Sequence, residues 1–464
     1  MKKVFGIAAL LLAFVACNKV ETEIAPVEQP SLIKAEGITI TAMLAPKTTD
    51  TKAVTDGVDK ITVTWAAKEH IAILYEVSGT KYVADAEIKS VDASGAATIE
   101  FTVESGTPDN TACTLVYPAA AAKDDHTGIK DAATLLAAQN GTLSANLDVR
   151  VGEGAIQTTT PGLDVTTQPA AQFAIFKFTV RKADGTTVIS ASPLIICTGG
   201  WHYTITPASA TDEFYVALPA VSGQRVIFNA TDGSNNTYTC SKDGVSFDAG
   251  RYYQSTLKMR EIWYREMGDG LKWASCNVGA TVTADYGDYF AWGETDPQYS
   301  CQSPQYWKYV WKDGKSPGYS LGTYFDADYT RYNVSGKTVL DLADDAARAN
   351  WGGSWRVPTE AEWKWLLDNC TWEWKTNYEG SGINGMLVTS NIIGYSSNSI
   401  FLPAAGEWNS SSLYDKDSYG DYWSSSLKED SSASASMVYF DETYKEGQWY
   451  HSRNCGLSIR PVRE

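Results

Sequence analysis

The stretch WGGSWRVPTEAEWKWLLDNCTWEW, residues 351–374, carries the densest local structure signals in the chain. Thr359 and Glu362 form a T-x-x-E capping box, in which a hydroxyl and a carboxylate satisfy backbone amides at the start of a helix. The apolar residues that follow recur at helical spacing: Trp363, Leu366, Leu367 and Cys370. The sequence therefore predicts a short capped helix with one buried face.

A second helix is predicted just upstream, over residues 338–350. Leu340, Ala343 and Ala347 fall on one side of it, and Gly352 and Gly353 end it, because glycine readily adopts the left-handed conformation that closes helices. Two short helices joined by a Gly-Gly turn predict the helical layer of an α+β domain.

Length and composition set the broad class. A chain of 464 residues has room for about three domains of ordinary size, and 44% hydrophobic with 20% charged residues is typical of globular protein. The formal net charge of −17, with no basic cluster beyond the N-terminus, argues against nucleic acid or an anionic membrane surface as a partner.

The N-terminus has the pattern of an export signal. Lys2 and Lys3 precede an apolar run, 4–16, that ends at Cys17, which predicts a signal peptide over 1–17. A cysteine at this place resembles the lipobox of bacterial lipoproteins. That resemblance implies that Cys17 carries a lipid such as palmitate and that this lipid is the only contact with the membrane. An ordinary secretory signal is the alternative. The polar segment 18–33 is predicted to be a linker.

The cysteines beyond Cys17 are scattered, no CxxC occurs, and the 4 histidines lie far apart in sequence. We therefore predict no metal site and no cofactor, with buried thiols whose disulfide pairing stays open.

Short alternating segments with Gly-containing turns dominate residues 34–260 and predict two β-sandwiches, 34–165 and 166–260. The order KITVTWAAKEHIAILYE, CTLVYPA, AIFKFTV and DAGRYYQSTLKM resembles the fimbrillin family of Bacteroidales pilus lipoproteins. That resemblance implies tandem transthyretin-like sandwiches.

The composition changes after residue 260, since all the tryptophans except Trp65 and Trp201 lie beyond it. GDGLKWASCNVGATVTADYGDYFAWGET, ANWGGSWRVPTEAEW, FLPAAGEW, GDYWSSS and NCGLSIRPV resemble the paralogous C-type-lectin-like domain of Bacteroidales and Fibrobacter surface proteins. The predicted fold is therefore multidomain: two transthyretin-like all-β sandwiches followed by an α+β C-type-lectin-like domain, 261–464.

Six tryptophans are predicted to pack in the core, because this side chain buries a large area: Trp273, Trp292, Trp351, Trp355, Trp363 and Trp423. Residues 407–422 are too polar to bury and predict a loop. The segment SASASMVY, 432–439, alternates strictly, so its serines are expected on one outward face.

The candidate ligand-binding residues combine aromatic and polar side chains, which suit recognition surfaces, and the equivalent segment of such lectin-like domains carries the ligand. They are Trp408, Asn409, Tyr414, Tyr419, Ser432, Ser434, Ser436, Tyr444, Gln448, Trp449, Tyr450, His451 and Arg453. A solvated loop without a ligand is the alternative.

Two chemistries are not predicted. Calcium-dependent sugar binding in this superfamily uses Glu-Pro-Asn or Gln-Pro-Asp with Trp-Asn-Asp, whereas here Trp408-Asn409 is followed by Ser410. The same fold includes formylglycine-generating enzymes, which use two nearby thiols, but the C-terminal cysteines lie far apart in sequence and no nucleophile motif stands out. We therefore predict no enzyme.

The function predicted is a non-catalytic surface adhesin at the tip of a fimbria, binding a glycan or a protein. Fimbrillin resemblance implies that the first strand, 38–44, is removed by a trypsin-like protease, for which Lys47 and Lys52 are the candidate targets, and that a neighbouring subunit's strand fills the groove. The segment 457–462 closes the last domain, which predicts a subunit that accepts a strand and donates none. A lipid-anchored outer-membrane protein or a shaft subunit are the alternatives.

Overall fold

The computed structural model describes residues 37–47, 50–51, 64–137, 139–143, 147–198, 201–295, 297, 332, 337–409, 412–428, 431, 434–453 and 455–464. Cys17, Lys52, Cys301 and Ser432 lie outside these ranges, and so does the side chain of Gln448. Within them the chain is built mostly of strands with few helices, which confirms the predicted β-rich character.

The N-terminal domain is a seven-stranded sheet in which every neighbouring pair is antiparallel, in the order β1-β5-β4-β3-β6-β7-β8. Its strands are β1 (Ile38–Leu44), β3 (His70–Val77), β4 (Thr80–Val91), β5 (Ala97–Val103), β6 (Thr111–Tyr117), β7 (Arg150–Gln157) and β8 (Gly162–Ala171). β1 also lies against β8, so the sheet curls around a core that includes Ile40, Ile73 and Phe101. The domain boundary predicted between 165 and 166 falls inside β8.

The second domain has two layers joined at a corner. Its strands are β9 (Ala174–Lys182), β10 (Ala191–Thr198), β11 (Trp201–Ile205), β12 (Glu213–Leu218), β13 (Val221–Asp232), β14 (Thr237–Phe247) and β15 (Arg251–Glu261), in the order β11-β10-β13-β14-β15-β9-β12. β15 runs parallel to β9 along its length but meets β14 only at Arg260 and Glu261. A short strand, β2 (Asp50–Thr51), adds to β15 at Arg251 and Tyr252.

One apolar cluster unites the first two domains. Leu74 and Val116 of the first sheet pack in the same cluster as Phe176 and Phe228 of the second. The segment between β6 and β7, with a 3-10 turn (Ala119–Ala121) and helix α1 (Ala132–Leu136), contributes Leu136 to it.

The same segment is fastened to β12. The Gln139 amide both donates to the Ala217 carbonyl (3.0 Å) and accepts from the Ala217 N–H (2.7 Å), and the Tyr215 N–H donates to the Gly141 carbonyl (2.8 Å).

The C-terminal domain combines two described helices with small antiparallel sheets. Helix α2 (Ala346–Trp351) and helix α3 (Glu360–Asn369) are followed by most of the strands. The sheets are β16 (Tyr264–Glu266), β17 (Lys272–Ala274) and β26 (Val462–Arg463); β18 (Cys370–Lys375), β19 (Gly385–Ser390) and β20 (Ser399–Pro403); β21 (Glu407–Asn409) and β22 (Ser412–Tyr414); β23 (Gly420–Leu427), β24 (Ser434–Phe440) and β25 (Lys445–Ser452).

Helix α3 begins as its sequence predicts. The Thr359 hydroxyl accepts from the Glu362 N–H, and the Glu362 carboxylate accepts from the Thr359 N–H at 2.7 Å. Arg356 also donates to both Glu362 oxygens, at 2.8 and 2.7 Å. Trp363 and Leu366 are buried, while Leu367 is only half-buried.

Helix α2 is shorter than predicted. It starts at Ala346 and not at Thr338, because the buried Asp345 carboxylate accepts from the N–H groups of Arg348 (2.9 Å) and Val357 (2.8 Å) and fixes a new helix start. Ahead of it, Leu342–Asp344 form a 3-10 turn and Ala343 is exposed.

The tryptophans assigned to the core are confirmed: each is nearly inaccessible to solvent. Trp351 and Trp355 pack edge to face with ring centroids 5.4 Å apart, and the turn between them contacts the second domain. Thr231 donates to the Trp351 carbonyl (3.0 Å), Trp355 donates to the Thr237 hydroxyl (2.7 Å), and Asn235 donates to the Ser354 hydroxyl (2.8 Å).

Gly353 is required in this turn for two reasons. Its φ of +56° is left-handed, and a Cβ built on it would lie 2.4 Å from the Asn235 side-chain oxygen. We expect Gly353→Ala to lower the free energy of unfolding by about 3 kcal/mol, since it strains the backbone and displaces Asn235 from Ser354. Urea unfolding monitored by tryptophan fluorescence measures this.

Gly380→Ala is the matched control. Gly380 has a similar φ of +78° but nothing within 4 Å of its Cβ position. Gly380→Ala should therefore lower the free energy of unfolding by only about 1 kcal/mol, through backbone strain alone. Equal losses in the two variants would contradict a contact between the domains at this turn.

Candidate ligand-binding surface

The sheet β23-β24-β25 positions the residues predicted to bind a ligand. Asp421 lies opposite Tyr439, Met437 opposite Trp449, and Ala435 opposite His451. Because paired residues of an antiparallel sheet point to the same side, these side chains share one face. The pairing of β24 with β25 shifts between Met437 and Val438, so that β25 carries one extra residue at Gln448.

Four aromatic rings gather on this face, and we call them the aromatic surface: Tyr419, Tyr439, Tyr444 and Trp449. The ring centroid of Tyr439 lies 5.4 Å from that of Tyr419 and 6.2 Å from those of Tyr444 and Trp449. Trp449 is 50% exposed and Tyr444 is 47% exposed. Tyr439, the central member, was not among the predicted residues, because alternation along 432–439 placed it on the buried face.

The β24–β25 turn holds this cluster in place. The Asp441 carboxylate accepts from the Tyr439 hydroxyl (3.1 Å) and from the N–H groups of Thr443 (2.7 Å) and Tyr444 (2.8 Å). Burial, followed by the hydrogen bond to Asp441, raises the pKa of Tyr439, so its phenol stays protonated and donates.

A polar group lies beside the aromatic surface, and we call it the acid–histidine group: Glu407, Asp421, His451 and Cys455. The His451 Nε2 atom lies 2.7 Å from the Glu407 carboxylate. Burial raises the pKa of Asp421 to about 7, and the Glu407 charge adds to that effect. Burial alone would lower the pKa of His451, but hydrogen bonds to Cys455 and Glu407 outweigh it and hold the pKa above its usual value.

Three of these residues could hold a metal ion. Ligand atoms of Glu407, His451 and Cys455 lie within 4.8 Å of one another, and carboxylate, imidazole and thiolate are the ligands of zinc. No such group was predicted from the sequence, because Glu407 is distant from the other two residues along the chain. The same order of acid, imidazole and thiol could activate a nucleophile, but Cys455 is only 3% exposed and does not present its sulfur to solvent.

Other predicted residues lie elsewhere on the domain. Tyr414 is exposed on the β21–β22 hairpin, where Trp408 packs beside Tyr286 and Tyr289 and the Asn409 amide lies 3.4 Å from Glu407. Ser434 is half-buried. Tyr450 is 38% exposed, with the Lys428 ammonium 5.0 Å from its ring centroid.

Two predicted ligand contacts are wrong, since Ser436 and Arg453 are buried, with 0% and 1% exposure. Alternation failed at Ser436 because β24 is the central strand and apolar clusters cover both its faces, with Met437 in one and Val438 in the other. The Arg453 guanidinium lies over the rings of Trp292 (4.6 Å) and Tyr332 (5.6 Å).

Lys47, predicted as a protease target, is also buried in the folded chain, with a side chain that is 1% exposed. A protease therefore cannot reach it without local opening.

Arg453→Ala should destabilise the protein by roughly 3 kcal/mol, because it removes a buried side chain packed on two aromatic rings. Thermal unfolding of this variant beside Tyr450→Ala tests the assignment. Tyr450 is exposed three positions away, so its loss should change stability by less than about 0.5 kcal/mol. If Arg453→Ala melts at the same temperature as the unmodified protein, the assignment of Arg453 to the core is contradicted.

Comparisons with known proteins give structural similarity only. No protein-family profile and no curated protein matches the chain. A fimbrial assembly protein from Parabacteroides distasonis shares 16% identity over 47% of this chain and 90% of its own, with a TM-score of 0.29. A fimbrial protein from Bacteroides ovatus shares 12% over 92% of this chain and 99% of its own, with a TM-score of 0.27. The tip fimbrial protein Mfa3 from Porphyromonas gingivalis shares 10% over 48% of this chain and 95% of its own, with a TM-score of 0.24.

Proposed function

We propose that this protein is a non-catalytic cell-surface adhesin that binds a glycan or a protein through the aromatic surface of its C-terminal domain. The observation that carries the proposal is the gathering of Tyr419, Tyr444 and Trp449 around Tyr439, with Trp449 and Tyr444 about half exposed. Exposed aromatic rings on paired strands offer a large contact area at little cost in conformational entropy.

The chemistry of the surface suits a neutral ligand with both apolar and hydroxyl groups. Aromatic faces pack against the C–H faces of a sugar or against aliphatic side chains, while tyrosine hydroxyls exchange hydrogen bonds. The neighbouring Glu407 carboxylate, whose side chain is 16% exposed, can accept hydrogen bonds from hydroxyl or amide donors. The net charge of −17 disfavours an anionic polymer as the ligand.

Trp449→Ala with Tyr444→Ala should weaken binding by on the order of 2 kcal/mol, about thirtyfold in affinity, because both exposed rings are removed. A glycan and matrix-protein array with the full chain identifies the ligand, and titration of that ligand with each variant measures the effect.

Tyr450→Ala is the matched control on the same strand. Tyr450 is exposed and paired with Ser436, and its ring faces Lys428 and not Tyr439. It should bind as the unmodified protein does. Equal binding by the double variant and the control would place the ligand elsewhere.

The finer proposal is a fimbrial tip subunit exported as a lipoprotein through Cys17. Among the strands that the structure describes, β1 is hydrogen-bonded to β5 at the edge of its sheet, and it buries Ile40, Ala42 and Leu44. Its removal would open an apolar groove into which a neighbouring subunit's strand could add. β26, in contrast, is engaged in its own domain, since Val462 pairs with Trp273 and exchanges backbone hydrogen bonds with Arg356.

We expect one copy per fibre end by immunogold labelling, and a mature N-terminus after Lys52 by mass spectrometry of purified fibres. Labelling along the shaft would make the protein a structural subunit. An intact acylated Cys17 would make it a lipid-anchored surface protein.

In the part of the chain that the structure describes, no helix has the length and apolarity needed to span a membrane.

A further inference from the structure

Lys47 is packed in an unusually dry site for an amine. It follows β1, and its Nζ atom lies 3.7 Å from the ring centroid of Tyr117 and 4.3 Å from that of Trp65. Trp65 is itself 3% exposed and donates from its indole to the Ala45 carbonyl at 2.9 Å. The two rings therefore shield the amine from water on two sides.

Two carboxylates lie next to this amine. The Lys47 Nζ atom is 3.0 Å from Oδ2 of Asp148, whose side chain is 5% exposed, and 4.0 Å from Oε2 of Glu69. Glu69 is held in place by the Tyr117 hydroxyl (2.7 Å) and the Ala66 N–H (2.9 Å).

Arg150 completes the site. Its Nε atom donates to both oxygens of Asp148, at 2.8 and 3.0 Å, and it is 2% exposed. The site thus gathers two basic and two acidic side chains, of which Lys47, Asp148 and Arg150 are buried.

We propose that Lys47 and Asp148 are joined by an intramolecular amide bond, with Glu69 as the group that transfers the protons. Nothing in the proposed adhesive function requires this bond, and its presence or absence is measured independently of ligand binding.

The reaction is a condensation without an oxidant or a cofactor. Proton transfer within the pair gives a neutral amine and a neutral carboxylic acid. The Nζ lone pair attacks Cγ of Asp148 and forms the C–N bond. Glu69 takes a proton from Nζ and delivers it to the departing hydroxyl, so the Cγ–O bond breaks and one water leaves.

The surroundings favour the attack of the amine on Asp148. Burial lowers the pKa of Lys47, which favours the neutral amine that the attack needs, although Asp148 and Glu69 oppose that shift. The reacting groups are already in contact, so the reaction is effectively unimolecular. Arg150 can stabilise the oxygen that becomes negative during the attack.

The balance of charge also favours the product. Before condensation two cations and two anions share the site, and burying charges is costly even when they are paired. Condensation removes one charge of each sign and leaves Arg150 and Glu69, so the site stays neutral.

The amide would fasten the segment after β1 to the segment before β7. A trypsin-like protease needs a free lysine side chain, so the bond would exclude cleavage after Lys47. Cleavage after Lys52 would still leave β1 attached to Asp148 through Lys47, so the bond and the removal of β1 are alternatives for any one subunit.

Peptide mapping of the full chain, purified from the native host, tests the bond. Trypsin digestion after unfolding should yield a branched peptide that joins residues 35–52 to residues 131–150, uncleaved after Lys47 and lighter by one water than its two parts. Fragmentation should place the link at Lys47 and Asp148, which distinguishes it from cyclisation of Asp148 alone.

The variants assign the roles. Lys47→Arg and Asp148→Ala should abolish the branched peptide, and Glu69→Gln should strongly reduce its yield. Lys364→Arg is the matched control, because Lys364 and Asp368 form an equally short ion pair (2.9 Å) that is about half exposed, and the branched peptide should be unchanged. Separate linear peptides with cleavage after Lys47, in the unmodified chain, would overturn the proposal without any variant having to fold.

Discussion

The tight turn at Gly352 and Gly353 is the constraint on which the arrangement of the C-terminal domain depends. Both residues have a positive φ, and the turn that they form places Trp351 and Trp355 in the same core. The turn also brings Trp351 and Trp355 within hydrogen-bond distance of β13 and β14. The side chains of Thr231 and Asn235 then bind the turn from the second domain. The same few residues therefore form part of the core of the C-terminal domain and its contact with the second domain, so a substitution in the turn affects both.

How far the sequence predicts this structure depends on whether the cause is local. The capping box at Thr359 and the buried face of α3 follow from residues within one turn of each other, and both were predicted. The start of α2 was not, because it depends on the Asp345 carboxylate reaching Val357 across a loop. Alternation along β24 was a sound indicator of a strand, but it could not show that both faces of that strand are covered, so Ser436 was misplaced.

The candidate surface also combines features with a local cause and features that depend on distant residues. Composition drew attention to residues 444–450, but the residue that joins their exposed rings is Tyr439, on the neighbouring strand. The acid–histidine group and the Lys47 site were also hidden, because each assembles residues from distant parts of the chain. Arg453 was misread for a related reason: an arginine in a polar loop can still be buried with its guanidinium packed on the rings of Trp292 and Tyr332.

The fastening of Gln139 and Gly141 to β12 has a consequence for how copies of this protein behave at high density. β12 is the last strand of its sheet, and an edge strand offers unpaired backbone groups on which another chain can add and begin aggregation. A side-chain amide that reproduces the donor and acceptor of a neighbouring strand at Ala217, beside a backbone carbonyl that occupies Tyr215, blocks that edge at its centre. Many copies could then stand close together without adding to one another at β12.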